Sequence, residues 1–329
     1  MVNSLKKEIE LRKDYLNNNA IHTIYFGGGT PSILKVTEIF MLINTIYENY
    51  TVTENAEISL ECNPDDLTKV KLKNLKKIGI NRLSIGIQSF NSEDLEFMNR
   101  SHNYEQAISS VKLAKEIGFN NISIDLMYSL PKQSLEEWKR NLDIAFSMGI
   151  QHISAYSLTF EEKTKLKYLL KKGKVSELDD ISSSKHFDLL IMEAEKHKFI
   201  QYEISNFGLD GFFSKHNSKY WQSGHYLGIG PSAHSYNGEK RSWNVNSNTE
   251  YIQNISENKM EYEEEILSNS QKYNDYIMTS LRTIWGVDLD YMQQKYGEIY
   301  LRYFNNEVQK WIKSEHVFIE KNTVSLTKK

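Results

Sequence analysis

The feature that most constrains the fold is a regular alternation of short apolar strands and amphipathic helices over the first half of the chain. Apolar runs bounded by glycine, proline or polar residues recur five times, with helical spacing of apolar residues between them. The strands are predicted at residues 21–26, 56–61, 82–87, 121–127 and 152–157. This alternation predicts an α/β fold with a parallel sheet, either barrel-like or doubly wound.

Small or polar residues follow each predicted strand. Both kinds of parallel sheet bind their ligands at the carboxyl ends of the strands. The residues at these ends are Gly28, Gly29, Thr30, Glu61, Asn63, Gln88, Asp125 and Thr159. Because five consecutive strands deliver such groups to one rim, a shared ligand site is favoured over five unrelated strand ends.

The first strand end is a run of three glycines at 27–29, followed by Thr30, Pro31 and Ser32. Glycines allow a tight turn and a close approach of a ligand to the backbone. Free N–H groups at the start of the following helix favour anions or carboxylates. A glycine-rich turn can also be purely structural, so its meaning depends on the other strand ends.

Composition limits the function classes. Of the 329 residues, 40% are hydrophobic and 25% are charged, and the net charge is −3. These values are typical of a soluble globular protein and give no electrostatic reason to expect nucleic acid or an anionic membrane as a partner. No apolar run approaches the roughly 20 residues that span a bilayer, so we expect no stable membrane insertion. The N-terminus does not resemble a signal peptide, and we therefore expect a cytoplasmic protein.

The chain changes character after about residue 160. Charged helices are predicted near 163–174 and 183–197, and the segment 202–236 is dense in aromatic residues, glycine and histidine. Its low periodicity predicts an irregular chain folded over a surface or a ligand. Four histidines could hold a metal or heme, but their spacing matches no compact zinc template, and hydrogen-bonded histidines in a packed loop are the alternative. They are His197, His216, His225 and His234.

From about residue 268 the sequence predicts a small helical module. Helices are expected near 271–285, 288–295 and 298–314, and a short hairpin is expected at 316–326. This pattern resembles a winged helix, but the third helix has few basic residues, so a structural or lid role is favoured over DNA binding. The predicted domains are a barrel at 1–165, a connecting segment rich in histidine and aromatic residues at 166–245 and a helical domain at 246–329.

Four stretches of the chain resemble the radical S-adenosylmethionine enzymes. They are GGGTPS at 27–32, ECNP at 61–64, NRLSIGIQSF at 81–90 and DLMYSLP at 125–131. Within this superfamily the chain is similar to the group of oxygen-independent coproporphyrinogen III oxidases and HemW-type heme chaperones, and the segment 216–235 is more similar to the HemW branch. The resemblance covers nearly the whole chain. It implies a partial (β/α)6 barrel, here without its first strand, and a C-terminal helical domain.

The resemblance also implies an S-adenosylmethionine site at the strand ends. Gly28, Gly29 and Thr30 would receive the methionine amino end. Gln88 and Arg100 would hold the methionine and its carboxylate, which suits the forked donors of arginine.

The remaining strand-end residues would contact the rest of the same ligand. By resemblance, Glu61 would bind a ribose hydroxyl, and Asp125 would contact the ribose side. The backbone of Thr159 would lie near the adenine. Carboxylates suit such positions because they accept hydrogen bonds from sugar hydroxyls.

One element of the family pattern is missing. The family holds a [4Fe–4S] cluster through a Cys-x-x-x-Cys-x-x-Cys run, whereas this chain has one cysteine, Cys62, which cannot ligate a cluster alone. We expect Cys62 to be a packed small residue, and we assign no metal ligands and no catalytic residues.

The family's first strand and cluster loop would precede Met1. The chain would then be a fragment, the product of a mis-assigned start codon, or a natural cluster-free relative, and a cluster is expected only with the missing segment.

These features favour a HemW-like protein that binds or transports heme. Because the present sequence lacks the cluster motif, we expect that it does not cleave S-adenosylmethionine. The heme candidates are His216, Tyr220 and His234. Oxygen-independent oxidation of coproporphyrinogen III is the alternative hypothesis, and a non-catalytic heme-binding module is the third. The expected cofactors are S-adenosylmethionine and heme. The expected partners are heme or porphyrin and a heme-acceptor protein, and a homodimer is left open.

Overall fold

The computed structural model describes residues 1–327. Its largest sheet has seven strands, of which the first five are parallel and neighbour one another in chain order. These strands are β1 (Ile21–Phe26), β2 (Val52–Cys62), β3 (Arg82–Gln88), β4 (Ile122–Tyr128) and β5 (His152–Ser157). The five predicted strands and the α/β class are confirmed. The sheet is an open, partial barrel, because β1 and β5 are not paired with each other.

Six helices precede or connect these strands. They are α1 (Val2–Leu11), α2 (Val36–Asn49), α3 (Lys69–Lys77), α4 (Ser92–Phe97), α5 (Tyr104–Glu116) and α6 (Leu135–Ser147). The helix α6 begins at a capping box, in which Ser134 Oγ accepts the Glu137 N–H at 3.2 Å and the Glu137 carboxylate accepts the Ser134 N–H at 2.8 Å. Sequence alone predicts this start, because both partners lie within four residues.

The parallel strands have one apolar face and one polar face, since successive side chains of a strand point to opposite sides. The apolar side chains, such as Leu60, Ile85 and Ile124, are buried in one core with the helices. The polar side chains occupy the alternate positions and face the inside of the half-barrel. They are Glu57, Ser59, Glu61, Arg82, Ser84, Ser123, Asp125, His152 and Ser154.

The segment after β5 is more regular than its sequence predicts. It contains α7 (Lys165–Lys171), α8 (Asp180–Lys196), β6 (Ile200–Glu203), β7 (Asn206–Gly208), α9 (Lys215–Trp221), β8 (His234–Tyr236) and β9 (Lys240–Asn244). The strand β7 pairs antiparallel with β5, and β6 pairs antiparallel with β7. The prediction of an irregular chain at 202–236 was wrong in this part, because strands of three or four residues are too short to show a period.

The C-terminal part contains the predicted three helices and hairpin. Its elements are α10 (Asn248–Ser256), β10 (Tyr262–Ile266), α11 (Asn269–Leu281), β11 (Val287–Asp288), α12 (Leu289–Tyr296), α13 (Glu298–Lys313), β12 (Val317–Glu320) and β13 (Thr323–Leu326). The helices α11 to α13 share a core of their own with the sheet β11–β13–β12. The strand β10 pairs with β9 instead, across the predicted boundary at 245/246, so the domain division stays a prediction. Within residues 1–327, every helix is too short or too polar to cross a membrane.

The helix α1 is attached to the second half of the chain through the buried carboxylate of Glu8. Its Oε2 accepts the Tyr251 hydroxyl at 2.5 Å and the Gly230 N–H at 2.8 Å. Its Oε1 accepts Asn244 Nδ2 at 2.7 Å and pairs with Arg12 Nη1 at 3.3 Å. A buried carboxylate is tolerated only when its oxygens are occupied in this way. We call Glu8, Arg12, Asn244 and Tyr251 the Glu8 cluster.

The Glu8 cluster explains why glycine occurs twice in the Gly-Ile-Gly-Pro stretch at 228–231. Arg12 donates to the Gly228 carbonyl at 3.1 Å, which brings this loop against α1. A Cβ on Gly228 would lie 2.1 Å from the His234 carbonyl oxygen, and one on Gly230 would lie 3.1 Å from Leu5. Gly230 also has φ +112, which favours glycine. These two glycines therefore serve the packing of the loop.

We predict that Glu8→Ala lowers the free energy of unfolding by about 3–5 kcal/mol, because it leaves the guanidinium of Arg12 buried without its carboxylate. Urea denaturation followed by circular dichroism measures this loss. The matched control is Glu10→Ala on the same helix, whose carboxylate is exposed and, among residues 1–327, pairs only with Lys6. It should cost less than about 1 kcal/mol. Equal losses in the two variants would contradict the assigned role of the Glu8 cluster.

Candidate functional site

The glycine turn after β1 is attached to the end of β2 by Glu61. Its Oε1 accepts the Tyr25 hydroxyl at 2.6 Å, and its Oε2 accepts the Gly28 N–H at 3.2 Å. Gly28 has φ +87, a left-handed conformation that favours glycine. A Cβ on Gly27 would lie 2.4 Å from the Tyr25 ring and 2.7 Å from the Glu61 carboxylate, so a larger residue is excluded. The turn and Glu61 therefore form one unit.

The other side of the turn is open. A Cβ on Gly28 or Gly29 would meet no atom within 4 Å. Thr30 follows as the N-cap of a short 3-10 helix, Pro31–Ile33, and its side chain makes no capping hydrogen bond. The backbone at the turn can therefore be approached closely by a ligand, as the three glycines predict.

Arg100 and Gln88 lie together over the end of β3. Arg100 Nη2 donates to Asn63 Oδ1 at 2.8 Å and to the Gly86 carbonyl at 3.1 Å. A Cβ on Gly86 would lie 3.1 Å from Gln88 Nε2 and 3.3 Å from Arg100 Nη2. Arg100 Nε is buried and has no hydrogen-bond partner within residues 1–327. A buried donor of this kind is costly unless a further group occupies it, which fits a ligand carboxylate.

Asp125 lies next to these groups on the inner face of β4. Its carboxylate accepts Ser84 Oγ at 3.1 Å. Burial and, to a smaller extent, the negative charge of Glu61 raise the pKa of Asp125 to about 6. Thr159 is exposed two residues beyond β5, and in the described chain no hydrogen bond joins it to the other strand-end residues.

A row of buried polar groups that sequence reasoning missed lies deeper in the half-barrel. Ser123 Oγ lies 2.7 Å from His152 Nδ1, and His152 Nε2 lies 2.8 Å from the Tyr202 hydroxyl. Burial holds the pKa of His152 well below its usual range, so the ring is neutral. The signal that could have found these residues is the two-residue period of polar side chains in otherwise apolar strands.

A cavity of about 860 Å³ lies between the half-barrel, α9 and the helices α11 and α12. Its volume is within the usual range of small-molecule sites. Two heme candidates, His216 and Tyr220, line this cavity together with His225, one of the four histidines noted in the sequence but not one of the three heme candidates. The third candidate, His234, lies on β8 with its ring stacked on Trp243, at a centroid distance of 5.9 Å, and is not part of the lining.

His216 joins the cavity to the strand-end site. Its ring stacks on Tyr25 with a centroid distance of 4.3 Å, and the hydroxyl of Tyr25 donates to Glu61. Burial lowers the pKa of His216 to about 4, so its imidazole is neutral at pH 7. Within residues 1–327 neither ring nitrogen of His216 has a hydrogen-bond partner. A neutral imidazole with a free nitrogen can ligate a metal ion.

The residues of the strand-end site fit S-adenosylmethionine but not the iron–sulfur cluster. The open glycine turn, the unpaired Arg100 Nε and the adjacent carboxyl groups suit a ligand with an amino acid end and ribose hydroxyls. Cys62 is buried in the core on the opposite face of β2, as expected, and burial raises the pKa of its thiol. No group of three histidine, cysteine or acidic side chains that could hold a metal occurs among residues 1–327.

We predict that Asp125→Asn stabilises the protein at pH 7.5 by about 1–2 kcal/mol, since a carboxyl with a raised pKa is ionised there against its burial. Between about pH 4 and pH 6, the folded wild type keeps the proton of Asp125, whereas the unfolded chain loses it. The free energy of unfolding of the wild type therefore falls as pH rises through this range, and Asp125→Asn should lack this pH dependence. Urea unfolding across this pH range measures both effects. Asp188→Asn, at an exposed position on α8, is the control and should keep the wild-type slope. If Asp125→Asn kept the pH dependence of the wild type, the raised pKa of Asp125 would be contradicted.

Comparisons with known proteins agree with this geometry. The sequence model of the Radical SAM superfamily matches residues 3–145. The chain is 36% identical over 279 residues to the heme chaperone HemW of Bacillus subtilis, covering 84% of this chain and 74% of that protein. It is 30% identical over 309 residues to the heme chaperone HemW of Lactococcus lactis, covering 94% of this chain and 81% of that protein.

A solved structure shares the fold over 99% of this chain. The coproporphyrinogen III oxidase of Escherichia coli, described as a radical SAM enzyme, aligns with a TM-score of 0.84 and covers 99% of this chain and 78% of its own. At 22% identity this likeness indicates the fold and not the activity. It confirms the expected partial barrel with its C-terminal helical part. From the two HemW relatives and the superfamily match, the chain belongs to the HemW family of radical S-adenosylmethionine proteins.

Proposed function

We propose that the protein binds heme and passes it to an acceptor protein, a proposal that the name of its relatives, heme chaperone, supports in part. The observation that carries the proposal is the cavity beside α9, in which the neutral ring of His216 has a free nitrogen. Aromatic side chains line the same cavity and suit a flat macrocycle. They include Tyr156, Tyr220, Trp221, Tyr226 and Tyr236. A homodimer is not required by this site.

In the same proposal, S-adenosylmethionine occupies the strand ends. The turn at Gly28, Gly29 and Thr30 would receive the methionine amino group, and Gln88 and Arg100 would hold the methionine carboxylate. This assignment gives the unpaired Arg100 Nε an acceptor. A bound cluster would supply the electron for reductive cleavage of S-adenosylmethionine, and the residues of this chain would bind and orient the methionine end.

The ribose and adenine would lie on the other side of the strand ends. Glu61 and Asp125 would accept the ribose hydroxyls, and the backbone of Thr159 would lie near the adenine. A ribose hydroxyl on Glu61 would compete with the hydroxyl of Tyr25, whose ring is stacked on His216. Occupation of the strand ends would therefore change the surroundings of the proposed heme ligand.

The alternative activity, oxidation of coproporphyrinogen III, has less support. The likeness to the oxidase rests on the fold, at 22% identity, whereas the likeness to heme chaperones rests on 36% and 30% identity. The oxidase hypothesis also needs a redox cluster, and the single cysteine of this chain does not supply its ligands.

Titration of the protein with hemin tests the heme proposal. We predict a shift of the Soret band, and we expect His216→Ala to weaken hemin binding at least about ten-fold, measured as the hemin concentration at which the shift is half complete. The shift should persist at pH 5.5, because the ring of His216 stays neutral down to about pH 4. The matched control, His234→Ala, should bind like the wild type, since His234 is outside the cavity lining. Absence of a Soret shift in the wild type would refute the proposal.

Anaerobic reconstitution tests the status of the cluster. With iron and sulfide, this chain should gain far less than one [4Fe–4S] cluster per molecule, because one thiolate cannot replace the usual set of cysteine ligands. Iron and sulfide assays and the visible spectrum measure the yield. Cys62→Ser should give the same low yield, since the thiol is buried in the core. A stoichiometric cubane cluster on this chain would contradict the prediction.

A further inference from the structure

The cavity wall that faces α9 is formed by one face of α11. Four of its lining residues recur every three or four positions, so their side chains share that face of the helix. They are Lys272, Asp275, Thr279 and Arg282, the last of these at the C-cap. The end of α12 adds Lys295 and Tyr296, and it is attached to α11 because the Tyr296 hydroxyl donates to the Lys272 carbonyl at 3.1 Å.

Cationic side chains outnumber acidic ones in the lining. The cations are Arg241, Lys272, Arg282 and Lys295, and the acids are Glu203 and Asp275, so the wall has an excess of two positive charges when the histidines are left out of the count. Such an excess in a cleft attracts anions.

Two of these four cations are already engaged within the protein. Arg241 forms an ion pair with Asp275, and Arg282 lies over the ring of Trp221 at 5.1 Å from its centroid. In contrast, the ammonium groups of Lys272 and Lys295 have no ion-pair or hydrogen-bond partner in the part of the chain that is described. These two lysines are therefore the cations that remain for a ligand.

The opposite wall is aromatic. The helix α9 presents His216, Tyr220 and Trp221, and the ring of Tyr220 stacks on Tyr226 at a centroid distance of 4.3 Å. The cavity thus combines an aromatic surface on one side with two unpaired ammonium groups on the other. This combination matches a flat aromatic molecule that has two carboxylates along one edge.

We propose that Lys272 and Lys295 bind the two propionate carboxylates of a tetrapyrrole whose ring lies against the aromatic wall of α9. The role of these two lysines rests on the proposed heme function, and it adds which residues distinguish one tetrapyrrole from another. The C-terminal helices thereby recognise the polar edge of the tetrapyrrole, while α9 provides the iron ligand. Tetrapyrroles without free carboxylates are bound less tightly, because the ammonium groups then have no partner.

Paired titrations with hemin and hemin dimethyl ester test this assignment, since the ester lacks both carboxylates and keeps the ring and the iron. The wild type binds hemin about ten-fold more tightly than the ester, as expected for two partly exposed ion pairs. The double variant Lys272→Gln/Lys295→Gln loses this preference, with hemin binding about ten-fold weaker and ester binding unchanged. The Soret shift reports both affinities, and the glutamines remove the charge but keep a polar side chain that is one atom shorter.

Two further variants serve as controls. The variant Lys73→Gln/Lys313→Gln removes the same charge from exposed positions outside the cavity and keeps the preference for hemin. The variant Lys272→Arg/Lys295→Arg has the positive charges that the double glutamine variant lacks and therefore again prefers hemin over the ester. Equal binding of hemin and its ester by the wild type, or a preference that survives in the double glutamine variant, overturns the assignment and leaves heme binding established. Absence of a Soret shift with either compound overturns both this assignment and the heme proposal.

Discussion

The hydrogen bonds between Glu57 and the start of α9 determine where the second half of the chain lies. Glu57 is a buried carboxylate on the inner face of β2, and its two oxygens accept the N–H groups of Lys215 and His216 at 3.2 and 3.1 Å. A buried charge without such partners would cost several kcal/mol. Because the half-barrel is polar inside, the segment after β5 has to return and complete these bonds. The position of His216 is therefore a consequence of the sheet.

The returning segment is fixed at a second place by the Glu8 cluster. The helix α1 lies at the other end of the sequence, yet Glu8 accepts the N–H of Gly230, between α9 and β8. The wall of the cavity is thus supported from the sheet by Glu57 and from α1 by Glu8. Rigid support of this kind is what a binding site needs to present its side chains in one geometry.

The chemistry of the two sites differs in a way that follows from their walls. The strand ends offer backbone N–H groups, carboxylates and a partly unpaired guanidinium, which suit a small polar ligand. The cavity offers aromatic rings and unpaired ammonium groups, which suit a large flat ligand with a polar edge. Tyr25 belongs to both, through its hydroxyl at Glu61 and its ring at His216. Tyr25 therefore links the strand ends to the cavity.

The sequence by itself determined the five strands, the helices between them and the glycine turn, because these depend on local periodicity and on the conformational freedom of glycine. It also placed Glu61 and Gln88 at strand ends, since a parallel sheet brings such ends together, whereas Asp125 lies in the middle of β4, on the face that points into the half-barrel. Only the tertiary structure decided that Tyr25 stacks on His216, that His234 lies outside the cavity and that Lys272 faces α9. These relations join residues from 25 to 272 along the chain, and no local pattern encodes which buried polar group a distant segment will satisfy.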